Sequence, residues 1–89
     1  MGWRIEFAPR ARKQLNSLDP GVARRIVEFL RTRVAATDDP RRLGEPLKGG
    51  RFGDYWRYRI GDYRVVVSIE EGALRVLVVQ IGHRREIYR

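Results

Sequence analysis

Apolar and polar positions alternate from Trp3 to Ala8. Trp3, Ile5 and Phe7 fall on one side of an extended chain and Arg4 and Glu6 on the other, the period-two pattern of a half-buried strand. At Pro9 the period changes. Proline suits the first turn of a helix, and Ala11, Leu15 and Leu18 recur at i, i+4 and i+7, which predicts a short amphipathic helix to about Leu18. Asp19-Pro20 is a restart signal, an aspartate N-cap followed by proline at the first helical position. The second helix is expected to bury Val22, Ile26, Phe29, Leu30 and Val34, and to turn Arg24, Arg25, Glu28, Arg31 and Arg33 mostly outward. It stops by Thr37-Asp38-Asp39-Pro40. Residues 39–53 hold Pro40, Gly44, Pro46, Gly49, Gly50 and Gly53 and read as one long loop, a kind more often functional than idle. Three strands are predicted after it, at about Asp54–Ile60, Tyr63–Glu70 and Leu74–Ile81. Gly61-Asp62 makes a two-residue hairpin between the first pair and Glu71-Gly72 a second turn.

The element order is β-α-α-β-β-β. It predicts an α+β fold: a mostly antiparallel sheet with an αα-hairpin packed on one face. The chain has no internal repeat, no low-complexity tract and no linker, so residues 1–89 read as a single domain. Strand alternation then orients individual side chains. Arg57 and Arg59 share one face of their strand, and Trp56, Tyr58 and Ile60 share the other. A two-residue turn at Gly61-Asp62 sets Ile60 opposite Tyr63 and Arg59 opposite Arg64. Arg57, Arg59 and Arg64 therefore meet on one sheet face, while Trp56, Tyr58, Ile60, Tyr63, Val65 and Val67 form the face under the helices. In the last strand, strict two-residue pairing would put Gln80 into the core. A longer turn or a bulge would instead bury Leu77, Val79 and Ile81 and leave Gln80 beside the arginines, and this arrangement is expected because it hides the apolar set. Gly82 is expected to end the strand and let the chain turn.

Charge sharpens this picture. Nineteen basic residues stand against eleven acidic, a net +8 on 89 residues, and all but Lys13 and Lys48 of the basic ones are arginine. An excess that large on a small domain points to a polyanionic partner, usually nucleic acid. Like charges directly across strands are destabilising, so three facing arginines are expected to hold an anion, since the planar guanidinium matches phosphate bidentately. Absence of cysteine excludes disulfides, thiolate metal sites and cysteine nucleophiles. The lone histidine, His83, excludes a multi-histidine metal site and a paired-histidine ribonuclease mechanism. No metal and no cofactor is expected. No apolar run approaches the ~20 residues that span a bilayer, and the first residues lack the apolar stretch of a signal peptide, so a cytoplasmic protein without membrane contact is expected.

Two segments carry a family resemblance. The run Tyr55-Trp56-Arg57-Tyr58-Arg59-Ile60-Gly61-Asp62-Tyr63-Arg64-Val65-Val66-Val67, followed by Ile81-Gly82-His83-Arg84-Arg85-Glu86-Ile87-Tyr88, resembles the RelE toxins of the RelE/ParE superfamily. Arg42-Leu43-Gly44-Glu45-Pro46-Leu47-Lys48-Gly49 is similar to the loop that precedes the meander in that family. The resemblance covers nearly the whole chain. It implies the RelE-like microbial ribonuclease fold and an endoribonuclease toxin of a type II toxin–antitoxin system, an mRNA interferase. Such toxins cleave messenger RNA in the ribosomal A site, are silenced by a RelB-type antitoxin, and reach operator DNA only through that antitoxin. By position, Arg57 and Arg59 stand where some members have basic residues, often lysines. Arg64 matches the arginine after Gly-Asp-Tyr, Arg84 the tail arginine and Tyr88 the tyrosine near its end. Arginine at 57 and 59 cannot serve as proton donor or base at ordinary pH, and the chain stops at Arg89 without the extra C-terminal helix of some relatives.

The chemistry such a cleavage needs is a base for the 2′-OH, cations around the phosphate and a donor to the 5′-oxygen. Arg57, Arg59, Arg64 and Arg84 are the expected phosphate ligands. Tyr88 or His83 is left for proton transfer, with Tyr88 favoured because a cationic pocket would lower its pKa from the free value of ~10. Lys48, Arg51, Arg85 and Arg89 are expected to bind RNA more peripherally. The alternatives are a ParE-like inhibitor of DNA gyrase, a non-catalytic RNA- or ribosome-binding module, and a degenerate toxin inactivated by its arginine-for-lysine exchanges.

Overall fold

The computed structural model describes residues 2–47 and 55–86. Strand β1 (Arg4–Phe7) leads into helix α1 (Pro9–Asn16), which opens on its proline. Helix α2 (Pro20–Phe29) follows after three residues. Asp19 caps it, its carboxylate accepting from the Gly21 N–H at 3.0 Å, and so satisfies one of the N–H groups that a helix start leaves without a partner. The helix runs on into a π-helical turn, Leu30–Val34, closed by the Ala35 N–H donating to the Leu30 carbonyl. Ile26, Leu30 and Val34 are fully buried, and Val22 and Phe29 pack against them, as the periodicity predicts. Helix α1 ends two residues short of the expected Leu18, which packs on the core from the connecting turn.

Among the described residues the sheet has five strands, in the order β1, β5 (Arg75–His83), β4 (Tyr63–Glu70), β3 (Tyr55–Ile60) and β2 (Glu45–Pro46). β3 (Tyr55–Ile60), β4 (Tyr63–Glu70) and β5 (Arg75–His83) form the expected antiparallel meander. β1 adds to the outer side of β5 in parallel, with Arg4 beside Arg75 and Phe7 beside Val78. The chain from β1 to its parallel neighbour β5 runs through the helical pair and the other strands, long enough for the crossover that parallel pairing requires. Two helices on one face of a mixed sheet confirm the expected α+β class. Among the described residues no helix is long and apolar enough to cross a membrane.

Three expectations need correction. The segment from residue 39 is not loop throughout. A 3₁₀ turn at Pro40–Leu43 leads to a two-residue edge strand, β2 (Glu45–Pro46), paired antiparallel with Arg57 and Trp56 of β3. The remainder of the expected loop, from Lys48 to Asp54, lies outside the described residues. Second, Gly82 does not end its strand: it pairs with Arg64, and His83 pairs with Tyr63. Third, the residues of β5 that face the helices are Val76, Val78 and Ile81, all buried, while Leu77 and Val79 are only half-buried. A 3₁₀ turn at Glu71–Ala73, followed by Leu74 in the left-handed region (φ 50°), sets Glu70 beside Arg75 and puts Val76 and Val78 inward. A bulge opposite Val66 and Val67 then inserts one residue and inverts the alternation, as bulges do. Ile81 thereby joins the core beside Val65, and Gln80 lands beside Val66 on the arginine face, where the sequence placed it.

Candidate functional site

The register delivers the predicted arginine face. Ile60 pairs with Tyr63, Arg59 with Arg64 and Arg57 with Val66. Gly61 turns the hairpin with φ +59°, a left-handed conformation that glycine adopts without penalty. The other face holds Tyr58, Val65 and Val67 in the core, with Trp56, Ile60 and Tyr63 packed against it. Across the arginine face, one row reads Glu45, Arg57, Val66, Gln80, and the next reads Arg59, Arg64, Gly82.

Two facing arginines at Arg59 and Arg64 repel unless they are separated or neutralised, and the structure does both. Arg59 is exposed. Arg64 is 8% exposed, and its Nη1 donates to the Gly61 and Tyr63 carbonyls at 3.0 and 2.9 Å. Its guanidinium therefore braces the hairpin tip as well as charging the face. Neutralisation comes from Glu45, a residue that sequence reasoning missed. Arg57 Nη2 donates to Glu45 Oε1 at 2.8 Å. That hydrogen bond and the Arg57 charge, with Arg59 and Arg64 adding to them, hold the Glu45 carboxyl below the usual carboxylate range. Glu45 is thus an ionised carboxylate in the field of all three arginines. It can occupy the place of an anion or accept a proton. The available signal was its position next to Pro46 at the edge of a strand, which the loop reading hid.

Close packing fixes Glu45 there. A Cβ on Gly44 would lie 2.6 Å from the Arg57 carbonyl oxygen and 2.9 Å from the Tyr58 ring, so only glycine lets β2 approach β3 this closely. Behind it, the buried Tyr58 hydroxyl donates to the Pro40 carbonyl at 2.9 Å. Burial, with the Asp39 charge adding to it, pushes the Tyr58 phenol well above its usual range, so this hydroxyl stays protonated and pins the segment that carries Glu45.

The other expected site residues divide. Arg84 is exposed at the end of the sheet, its backbone N–H donating to the Asp62 carbonyl at 2.8 Å. It therefore sits beside the hairpin tip that Arg64 braces. His83 does not join the arginines. Its partner Tyr63 lies on the helix side, and the two rings meet edge to face at 5.5 Å. His83 lines a cleft of about 390 Å³ with Arg10, Gln14, Tyr63 and Glu86. Its Nδ1 accepts from the Arg85 N–H at 3.1 Å, so the ring shapes the turn into the tail. Arg85 is exposed. Lys48, Arg51, Tyr88 and Arg89 lie outside the described residues. No group of three or more histidine or acidic side chains among the described residues could hold a metal ion.

Over residues 5–88 the chain matches the family described as ParE toxin of type II toxin-antitoxin system, parDE. It is 30% identical to the toxin RelG of Mycobacterium tuberculosis across all of this chain and 99% of that one. It is 33% identical to the toxin RelE of the same organism, across 98% of this chain and 87% of that one. In the toxin–antitoxin complex RelBE2 of Mycobacterium tuberculosis, one chain superposes with a TM-score of 0.85 at 26% identity, covering 97% of this chain and 95% of that one. A match along almost the whole chain, joined to relatives matched over most of their own length and to a shared fold, makes this protein a type II toxin of the RelE/ParE family.

Proposed function

We propose that this toxin is a ribosome-dependent mRNA endonuclease of the RelE type, held inactive in the cytoplasm by a RelB-type antitoxin that also carries it to operator DNA. The observation that carries the reading is the arginine face with Glu45 held in its field. In the proposed reaction the 2′-oxygen loses its proton to a base and attacks the adjacent phosphorus. The bond to the 5′-oxygen breaks, and that oxygen takes up a proton. The products are a 2′,3′-cyclic phosphate and a 5′-hydroxyl. Arg57 and Arg59 meet the non-bridging oxygens as charge builds on them, Arg64 holds the hairpin tip and adds its charge, and Arg84 reaches the phosphate from the start of the tail. Guanidinium groups supply the positive charge, so the reaction as proposed needs no metal. Fixed cationic donors of this kind contribute most where charge develops in the transition state.

Two groups are candidates for the base. Tyr88 is the one the family resemblance implies. Glu45 is supported by its place on the face, already ionised and paired to Arg57. His83, on the opposite side of the sheet, is assigned the turn that follows β5. An antitoxin partner is supported by the RelBE2 complex, whose toxin chain shares this fold.

The test is cleavage of A-site mRNA on programmed ribosomes, with and without EDTA, beside a gyrase supercoiling assay that the ParE family name calls for. Wild type should cleave in EDTA and leave gyrase active. Arg57→Ala should lose cleavage. Loss of activity in Glu45→Gln with retention in Tyr88→Phe assigns the base to Glu45, and the reverse assigns it to Tyr88. Gyrase inhibition without RNA cleavage would overturn the reading.

A further inference from the structure

The charged sheet face carries one side chain of a different kind. Gln80 ends the row Glu45, Arg57, Val66, Gln80, and the neighbouring row reads Arg59, Arg64, Gly82. The arginines in these rows only donate, the ionised Glu45 only accepts, and valine and glycine side chains do neither. Within the two rows Gln80 is therefore the side chain that offers a donor and an acceptor together. It is half-buried, and its amide has no hydrogen-bond partner among the described residues.

A break in the β5 ladder aims this amide. The register shift opposite Val66 and Val67 leaves Val78 and Ile81 both buried and turns Gln80 to the arginine side. Unbroken alternation from Val76 and Val78 would carry Gln80 to the helix side. A bulge gives up ladder pairing, and bulges gather beside active sites, where they re-aim a side chain. Helix α1 holds this one from the other layer: Gln14 Oε1 accepts from the Ile81 N–H at 2.8 Å, across 67 residues of chain. Gln80 and Arg57 stand two strand spacings apart, roughly 10 Å, with Val66 between them. A nucleotide whose phosphate rests on the arginines spans that gap with its own sugar and base.

Phosphate contacts position a strand and carry no sequence information, which is read at the base edges. A primary amide matches the edge of adenine bidentately, accepting from N6 and donating to N7. We propose that Gln80 is the base-reading residue of this site, holding the edge of an adenine in a nucleotide that flanks the scissile phosphate. This rests on the proposed RNA cleavage and deepens it: the arginines bind any sequence, and Gln80 decides which sequence is cut fast.

The experiment compares wild type, Gln80→Leu and Gln80→Glu on programmed ribosomes whose A-site codon carries each base at each position in turn, read as kcat/KM. A second arm measures binding of the same proteins to short RNAs of those sequences, made uncleavable by a 2′-deoxy sugar. Thermal melting checks the fold of each variant. Wild type should favour adenine at one codon position by about tenfold to a hundredfold. Gln80→Leu should slow the adenine substrate to the rate of the others. Gln80→Glu, which only accepts, should favour cytosine over adenine at that position, because cytosine presents an N4 donor. A residue that merely supports the sheet would lower Tm, or all rates together, and leave the base ratios as in wild type, and that result overturns the proposal. So does a wild type without adenine preference in either arm. If wild type cuts no RNA, the nuclease reading fails and the binding arm decides this one: an adenine preference lost in Gln80→Leu upholds it, and a preference that persists overturns it.

Discussion

Replacing Tyr58 by phenylalanine removes one oxygen from the centre of the molecule, and its consequences run in two directions with pH. The ring stays, packed against Phe29 at 5.7 Å between centroids, so no cavity opens. The loss is the hydrogen bond to the Pro40 carbonyl, and Pro40 is itself buried. A buried carbonyl left without its donor costs about 2 kcal/mol. For a domain of this length that corresponds to a fall in Tm of roughly 8–16 °C near neutral pH. Above pH 10 the gap between the two proteins begins to close. Burial raises the Tyr58 pKa in the folded state, so its contribution is fully present below the free value of ~10 and is lost as pH rises from there toward the folded value. The unfolded phenol ionises first, and the native state loses about 1.4 kcal/mol per pH unit in that window. Tyr58→Phe has no such group. The stability gap of about 2 kcal/mol at pH 8 should therefore shrink to about 0.6 kcal/mol at pH 11. Urea unfolding of both proteins at pH 8, 10 and 11 measures it. Equal stability at pH 8, or a gap that does not narrow, would refute the idea that a buried neutral phenol pins the Pro40 segment.

Gly44→Ala should destabilise by about 1–3 kcal/mol, because the methyl group meets the Arg57 backbone at 2.6 Å. It should also reduce activity by pushing Glu45 off the face, measurable as a lower Tm together with slower RNA cleavage. Leu74→Gly should stabilise by about 0.5–1 kcal/mol: relief of a left-handed leucine gains about 1–2 kcal/mol and the added freedom of the unfolded chain returns part of it, which denaturant midpoints will resolve. Arg64→Ala should lose about 1–3 kcal/mol of stability, because the Gly61 and Tyr63 carbonyls lose their donor, and a further 2–4 kcal/mol of transition-state stabilisation. Arg64→Lys should recover part of each, and an Arg64→Ala protein with wild-type Tm and full toxicity would remove Arg64 from both roles.

What could be read in the chain and what could not follows from the range of the interactions. Periods of 2 and 3.6 are local, so both helices, the meander and the faces of Arg57, Arg59 and Arg64 were legible. The Gly61-Asp62 turn fixes register over two residues, and the pairing of Arg59 with Arg64 followed from it. β2 was not legible, because two residues carry no period and their pairing depends on Gly44 fitting against Tyr58 fourteen residues later. The inward side of β5 was half legible. Gln80 announced that the alternation had to invert, but the turn before the strand and the bulge within it act in combination, and only the sheet shows how. His83 looked like a companion of the tail arginines from its neighbours in sequence. Its orientation depends on the same bulge, which sends it to the helix side with Tyr63.

The placement of β5 has a consequence for how the toxin comes into being. The strand follows every other described element along the chain, yet in the sheet it lies between β1 and β4. The bridge from Arg75 to Glu6 joins residues 69 apart in the chain. Non-local pairings of this kind reward the chain only after a long loop has closed, which slows folding. While the protein is being translated, β1 has no partner, and the apolar face of the αα-hairpin lacks Val76, Val78 and Ile81. The arginine face likewise lacks Gln80 and Arg84 until the last stretch has been added. A nascent chain of this topology therefore has no complete arginine face until β5 inserts between β1 and β4.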